Sequence, residues 1–343
     1  MRKDRTLRTR TAALILAACC LALCSCGASA EEREIAEWLK VYDLPEYKPV
    51  ELKNQHPGAI PLDQETPYEP HLDGYLPDYG GYVDDTICVR VESREIQKTK
   101  VLFTWVQIAE PTQLRTGYVG TYPNLKNLYA SDIARANKAV LAVSGDWFTA
   151  RKNKEGVVIR NGQMLRNKNC YAYDGLIIDM NGDFHILRQG TKEQFAEYEG
   201  QIMHSFVFGP ALVVDGELMQ HDMFGETPSY WLIKHVGGGK KTQRSAICQM
   251  GPLSYLLITT EGPEQSRDGG FTIPELGDLA YAMGAKNAFN LDGGSSAWLV
   301  LGGERINTMK TRNIQKISDI IYFVTAVPEL PSKVPATPTD TAP

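Results

Sequence analysis

The chain has 343 residues, 43% apolar and 22% charged, enough hydrophobic material for a packed core and too much for a disordered, collagen-like or coiled-coil protein. Its net charge of −5 hides a split: Arg2, Lys3, Arg5, Arg8 and Arg10 against Asp4 make the first ten residues +4, leaving −9 for the rest. An acidic body has no electrostatic footprint for DNA or RNA, so nucleic acid is excluded as a partner.

The basic start runs into an apolar stretch from Thr11 to Cys26, the pattern of an export signal. At roughly 15 residues it falls short of the ~20 that span a bilayer. Leu23-Cys24-Ser25-Cys26-Gly27 resembles a bacterial lipobox with Cys26 as the lipidated residue; Leu16-Ala-Ala-Cys19 is a second candidate, and Ala28-Ser-Ala30 a competing plain cleavage site. Each alternative places the body outside the cytoplasm, and membrane contact is expected only through the signal or its lipid. Four of the seven cysteines belong to this segment, so Cys88, Cys170 and Cys248 permit one disulfide at most. Without CxxC, HxH or HExxH spacing there is no support for zinc.

Four segments are expected: 1–26 signal, 27–80 spacer, 81–327 folded domain and 328–343 a disordered Pro/Thr-rich tail. Glu31 to Lys40 reads as one short helix with Ile35, Trp38 and Leu39 on a common side. Pro45 to Pro77 holds seven prolines and no sustained period, the composition of a semi-rigid spacer. In the body, Asn161-Gly162, Asn181-Gly182 and Asp215-Gly216 each separate two short apolar runs, which predicts three tight hairpins. Leu125 to Lys138 is expected to be helical, with Leu128, Ile133 and Ala134 as its apolar points. A second helix starts at Thr272, whose spacing to Glu275 is a capping box, and stops at Gly284. The expected fold class is α+β, a hairpin-rich mixed sheet with a few packed helices and one strand–helix–strand unit.

Three acidic residues follow directly on apolar strands: Asp146 after 139–144, Glu261 after 253–260 and Asp292 after 287–291. The helix joining the second and third strands predicts a parallel pair, with Glu261 and Asp292 at one edge. Pairing Gln249 with Ser254 in the preceding hairpin sets Arg244 opposite Thr259, where a guanidinium can hold a phosphate through two parallel hydrogen bonds. Taken singly, Asp292-Gly293 reads as a turn, Asp146 as a cap, Glu261 as a loop carboxylate and Arg244 as an ion-pair residue; their convergence on one rim is what points to chemistry. Gly237-Gly-Gly-Lys-Lys-Thr242 misses the phosphate-loop pattern because Lys240 stands where glycine is needed. His185, His204 and His221 sit in no acid–base spacing and are expected to be structural.

Together these segments resemble the phosphodiester glycosidase family, including its bacterial exopolysaccharide-associated branch. Asn290-Leu-Asp-Gly-Gly-Ser-Ser296 is similar to that family's Asn-Leu-Asp-Gly-Gly-x-Ser signature. Val143-Ser-Gly-Asp-Trp-Phe148, Phe208-Gly-Pro-Ala-Leu-Val-Val-Asp-Gly216 and Gln243-Arg-Ser-Ala246 resemble further segments in the same order. Ser144, Ser295 and Glu261-Gly262 depart from the usual residues. The resemblance implies hydrolysis of a sugar-1-phosphodiester to free sugar and a phosphomonoester. It implies Asp292, Asp146 and Glu261 as catalytic carboxylates, their acid and base roles unassigned. Arg244, Asn290, Gly293, Gly294, Ser295, Ser296 and Thr272 are the expected substrate contacts, with the Gly293-Gly294 amides free to approach an anion. No cofactor is required, although such carboxylates can also hold Ca²⁺ or Mg²⁺. Two other classes stay open: an ordinary glycosidase or metal-dependent phosphodiesterase on the same glycans, and a non-catalytic glycan-binding envelope lipoprotein.

Overall fold

The computed structural model describes residues 34–53, 59–62, 67–148, 155–171, 173–221, 234, 236–262, 269–308 and 314–328. The signal, the lipobox cysteines and the tail beyond residue 328 lie outside the described residues. No helix among the described residues is long and apolar enough to cross a membrane.

The Asn161-Gly162 and Asp215-Gly216 hairpins form as expected, because each pair takes positive φ (51° and 75°, 49° and 84°) and so matches the twist of its strands. The Asn181-Gly182 connection is longer. Asp179 Oδ1 accepts from Asn181 N and Asp183 N, an Asx turn that opens the hairpin beyond two residues. The Thr272 capping box initiates the Ile273–Ala282 helix, and Gly284 follows its end at φ 82°. The first helix is shorter than expected, Ala130–Ala136, because Asn124–Lys126 pairs as a strand and Leu128 bridges Ile317.

Among the described residues the strands form three sheets of nine, five and six strands, and every pair is antiparallel. The architecture is therefore mostly β with few short helices, not a mixed-sheet α+β arrangement. The expected parallel pair is absent: the Arg244–Gly251 strand lies between Ser254–Thr260 and Asn287–Asn290, antiparallel to both. The Thr99–Ile108 strand takes the other edge of Ser254–Thr260, so the two strands linked by the helix are not neighbours, yet they run in the same direction and Glu261 and Asp292 leave the sheet at one edge as expected. A bulge near Met250 also moves the register by one residue, so Arg244 faces Thr260 rather than Thr259.

One apolar core joins the inner faces of all three sheets, with Leu257 and Phe289 from the largest, Leu176 and Phe206 from the five-stranded and Leu141 and Phe323 from the six-stranded one. Truncating such a residue, Phe289→Ala for example, costs about 3–5 kcal/mol through lost burial and the cavity left behind.

Parts of the stretch expected as a spacer pack on this domain. Leu39, Leu52 and Ile60 are buried, and Trp38 Nε1 donates to Asp278 Oδ2 at 2.9 Å. The expected Glu31–Lys40 helix reduces to a 3-10 turn at Glu37–Leu39, residues 31–33 lying outside the described residues. Docking of its apolar side chains, not helical periodicity, holds this segment.

Candidate active site

The Leu141–Ser144 strand is wholly buried and delivers Gly145-Asp146 to the place where the three sheets meet. Asp146 Oδ1 accepts from Arg160 Nη2 at 2.6 Å, and its Oδ2 from Val207 N at 2.7 Å. Arg160 ends the Val158–Arg160 strand and is 1% exposed. Its Nη2 also reaches Asp319 Oδ2 at 3.2 Å, Nη1 donates to Ser205 O, and the guanidinium lies 4.6 Å and 4.3 Å from the ring centroids of Phe148 and Phe206. Charges taken this far from water persist only when paired and hydrogen-bonded, as these are.

One guanidinium between two carboxyls leaves an excess negative charge unless a proton is held. Asp319, which heads the Asp319–Phe323 strand, is the group that responds. Burial raises its carboxyl above the usual range, the neighbouring Asp146 adds to this, and Arg160 and the Ser318 hydroxyl oppose it. Gly145 lies against this carboxyl: a Cβ there would sit 2.0 Å from Asp319 Oδ2, so only glycine fits.

Asp292 enters from the nine-stranded sheet, directly after Leu291, and its N–H donates to Gly145 O at 3.0 Å. The residue keeps a part-exposed surface, yet the packing around its carboxyl is dense. That carboxyl is raised to about 7, chiefly by burial and further by the charges of Asp319 and Asp146, against hydrogen bonds from Ser296 and the Gly293 amide. Asp292 is thus the part-exposed member of a cluster whose other three members, Asp146, Asp319 and Arg160, are buried.

Some of the expected site residues converge here. Asp146, Asp292, Gly293 and Ser296 do, and Ser144 ties them together by donating to Ser296 O while accepting from Trp298 N. Asn290 lies two residues from Asp292, buried, with Nδ2 on Gly209 O at 2.8 Å and Oδ1 unpaired. Ser295 O accepts from Gln315 N. The Gly294 amide is committed to Gln243 O and the Gly293 amide to Asp292, so neither is free for an anion as expected. A Cβ on Gly293 would come 2.9 Å from Gln243 O, which explains glycine there through close backbone approach.

Others do not join. The Glu261 carboxylate accepts from Thr308 N at 2.7 Å and faces Lys100 Nζ at 3.9 Å. The Thr272 hydroxyl is taken up by its cap, accepting from Glu275 N and donating to Glu275 Oε2. Arg244 is buried rather than displayed on a rim. Its Nε donates to Phe271 O at 3.0 Å and its Nη2 to Gly237 O and Lys240 O at 2.9 and 2.8 Å; burial, only partly offset by Glu275, lowers it to about 10. With its donors on carbonyls, Arg244 clamps the 237–240 loop instead of presenting a fork to a phosphate.

His204 is structural, as expected. Its Nε2 donates to Leu114 O, its Nδ1 accepts from Asn161 N, and burial drives it down to about 3. Cys88, Cys170 and Cys248 are all free and buried. No group of three or more His, Cys, Asp and Glu side chains among the described residues is arranged to hold a metal ion.

Sequence reasoning missed Arg160 and Asp319. Arg160 precedes Asn161-Gly162 and reads as a hairpin end, although an arginine closing the apolar run Val157-Val-Ile was a signal. Asp319 begins an apolar strand, whereas Asp146, Glu261 and Asp292 each follow one.

The SPbeta prophage-derived uncharacterized protein YomE of Bacillus subtilis (strain 168) is 25% identical over 217 residues, covering 62% of this chain and 31% of YomE. This chain therefore spans about a third of that relative's length. Among solved structures, the zebrafish N-acetylglucosamine-1-phosphodiester alpha-N-acetylglucosaminidase catalytic domain, auto-inhibited by its pro-peptide, aligns with a TM-score of 0.57 at 16% identity, covering 76% of this chain and 87% of that one, a likeness of fold. A hypothetical protein from Synechocystis aligns at TM-score 0.49 and 15% identity over 70% of this chain and 62% of its own. The sequence profile of the phosphodiester glycosidase family matches residues 137–324. That stretch is more than half of the chain and supplies Asp146, Arg160, Asp292 and Asp319 alike, and by it this protein belongs to the phosphodiester glycosidase family.

Proposed function

We propose that this protein is an exported hydrolase that cleaves the glycosidic bond of sugar-1-phosphodiesters in envelope or extracellular glycans. Family membership supports the reaction class, and the name of the zebrafish protein gives an N-acetylglucosamine-1-phosphodiester as that enzyme's substrate. The observation that carries the reading is Asp292, a part-exposed carboxyl held near 7 beside Asp319 and the Asp146–Arg160 pair. A base is most effective when its pKa lies near the working pH. Ionised Asp292 takes a proton from water as the water oxygen bonds to the anomeric carbon. The bond from that carbon to the phosphate oxygen breaks, and its electron pair leaves with the phosphomonoester. That leaving group is stable as an anion and needs little protonation, so one reactive carboxyl suffices.

Asp146 has its oxygens on Arg160 and Val207 N and acts as a positioning residue. Asp319 and Asp146 supply the charge that Asp292 feels, and Arg160 holds both in place. Arg244 acts at a distance by holding the 237–240 loop. The signal at 1–26, with lipid on Cys26, supports an extracytoplasmic site of action.

The test is release of reducing sugar and phosphomonoester in equal amounts from a sugar 1-(alkyl phosphate). Activity should rise with pH through about 7, since the base must be ionised. Asp292→Asn should abolish release, and undiminished turnover by that variant would contradict the assignment.

A further inference from the structure

The chain bends sharply where it leaves the carboxyl cluster. Asp146 and Phe148 both turn inward onto Arg160, the carboxylate bonded to its Nη2 and the ring centroid 4.6 Å from its guanidinium carbon. Phe148 is held further by stacking on Tyr122, and its carbonyl accepts from Arg166 Nη1 at 2.9 Å. Between these two residues, 0% and 1% exposed, Trp147 stands at the apex of the bend with 39% of its surface exposed. Its φ of 59° is left-handed, a conformation that suits glycine or asparagine and strains a bulky aromatic residue. Strain of this kind persists only where the surroundings impose it, and it gathers at ligand sites. Here Asp146 and Phe148 are the anchors, and they fix outside the core an indole that makes no hydrogen bond or ring contact with another described residue.

Trp147 also lies beside the reactive carboxyl. Gly145 O accepts from Asp292 N at 3.0 Å and the Ser144 hydroxyl donates to Ser296 O, so 144–146 runs along the part-exposed 292–296 turn. From Gly145 to Trp147 the backbone covers at most about 7 Å. That short span sets the exposed indole and the part-exposed Asp292 at neighbouring points of the surface. An indole packs apolar C–H surface on its face at low entropic cost, while its N–H can meet a hydroxyl. A pyranose presents both groups.

We propose that Trp147 is the platform on which the sugar ring of the phosphodiester packs, its C–H face on the indole and its anomeric carbon toward Asp292. The proposal rests on the hydrolase reading and extends it by naming the residue that receives the sugar.

Binding and turnover test it separately. Trp147→Asn is the informative variant, because asparagine accepts the left-handed backbone. The full chain carrying Asp292→Asn is titrated calorimetrically with hexose and N-acetylhexosamine 1-(methyl phosphate) esters. At least one ester should bind, and adding Trp147→Asn should weaken it tenfold or more, about 1.4 kcal/mol. Adding Trp147→Phe instead, which keeps an aromatic face, should cost less than about threefold. The thermal midpoint of the Trp147→Asn chain should stay level or rise as the strain is relieved. With native Asp292, Trp147→Asn should raise KM tenfold or more and leave kcat within about twofold, the mark of binding lost equally from substrate and transition state. Absence of binding by every ester, or affinity within twofold after Trp147→Asn, overturns the platform. An affinity loss that comes with a lower midpoint and is shared in full by Trp147→Phe makes Trp147 a structural residue and overturns it as well. Binding that follows these substitutions while the chain with native Asp292 releases no sugar keeps the platform and refutes the hydrolase. Sugar release with KM unchanged by Trp147→Asn refutes the platform and keeps the hydrolase.

Discussion

Replacing Asp292 with asparagine should make the protein more stable as it makes it inactive. The carboxyl is raised from its ordinary 3.8 to about 7, chiefly by burial. Below about pH 4 it is protonated folded and unfolded, and no penalty applies. Between about 4 and 7 the unfolded chain loses this proton and the folded one retains it, so stability falls as the pH rises. Above 7 the whole penalty is present. At ~1.4 kcal/mol for each tenfold change its ceiling is about 4 kcal/mol. Asp292 is part-exposed, and water screening reduces the expected gain for Asp292→Asn to roughly 1–3 kcal/mol at pH 8. The asparagine side-chain oxygen can still accept from Ser296 and Gly293. Urea unfolding of both proteins at pH 5 and pH 8 measures it, with the advantage of the variant growing toward pH 8. A variant equally or less stable at pH 8, with the same pH slope as the parent, would falsify the buried-carboxyl account of Asp292.

Arg160→Met removes the guanidinium that bonds two buried carboxyls and should destabilise the fold by about 3–5 kcal/mol, read by urea unfolding; adding Asp319→Asn should recover part of the loss. Gly145→Ala drives a methyl into Asp319 Oδ2, so sugar release should fall at least tenfold and fail to recover at any pH. Arg244→Lys keeps the charge but cannot match the guanidinium's bonds to Phe271 O, Gly237 O and Lys240 O. It should lose about 1.5–3 kcal/mol of stability and impair phosphorylated and simple aryl glycosides alike. A loss confined to phosphorylated substrates would return Arg244 to the phosphate.

What the sequence made legible was local chemistry. The Asn161-Gly162 turn and the Thr272 cap are set by neighbouring residues, and both formed as read. The Asp146 and Asp292 positions were found because each follows an apolar strand. Strand order was not local: nothing in the run from Arg244 to Gly251 says that it separates the two strands linked by the helix. The bulge near Met250 likewise depends on the partner strand, and it moved Arg244 one residue along. Arg160 and Asp319 stayed hidden because their pairing spans 159 positions in sequence, and either alone looks like an ordinary strand-end charge. The proline-rich composition of 45–77 obscured Leu52 and Ile60, whose burial depends on a surface built by distant strands.

The central claim is that the bond broken is the one between the anomeric carbon and oxygen, with Asp292 activating the water. Hydrolysing a sugar 1-(alkyl phosphate) in ¹⁸O-water and weighing both products tests it directly. The geometry predicts heavy oxygen in the released sugar and none in the phosphomonoester. Heavy oxygen in the phosphate, or a sugar 1-phosphate product, would show attack at phosphorus and contradict the account.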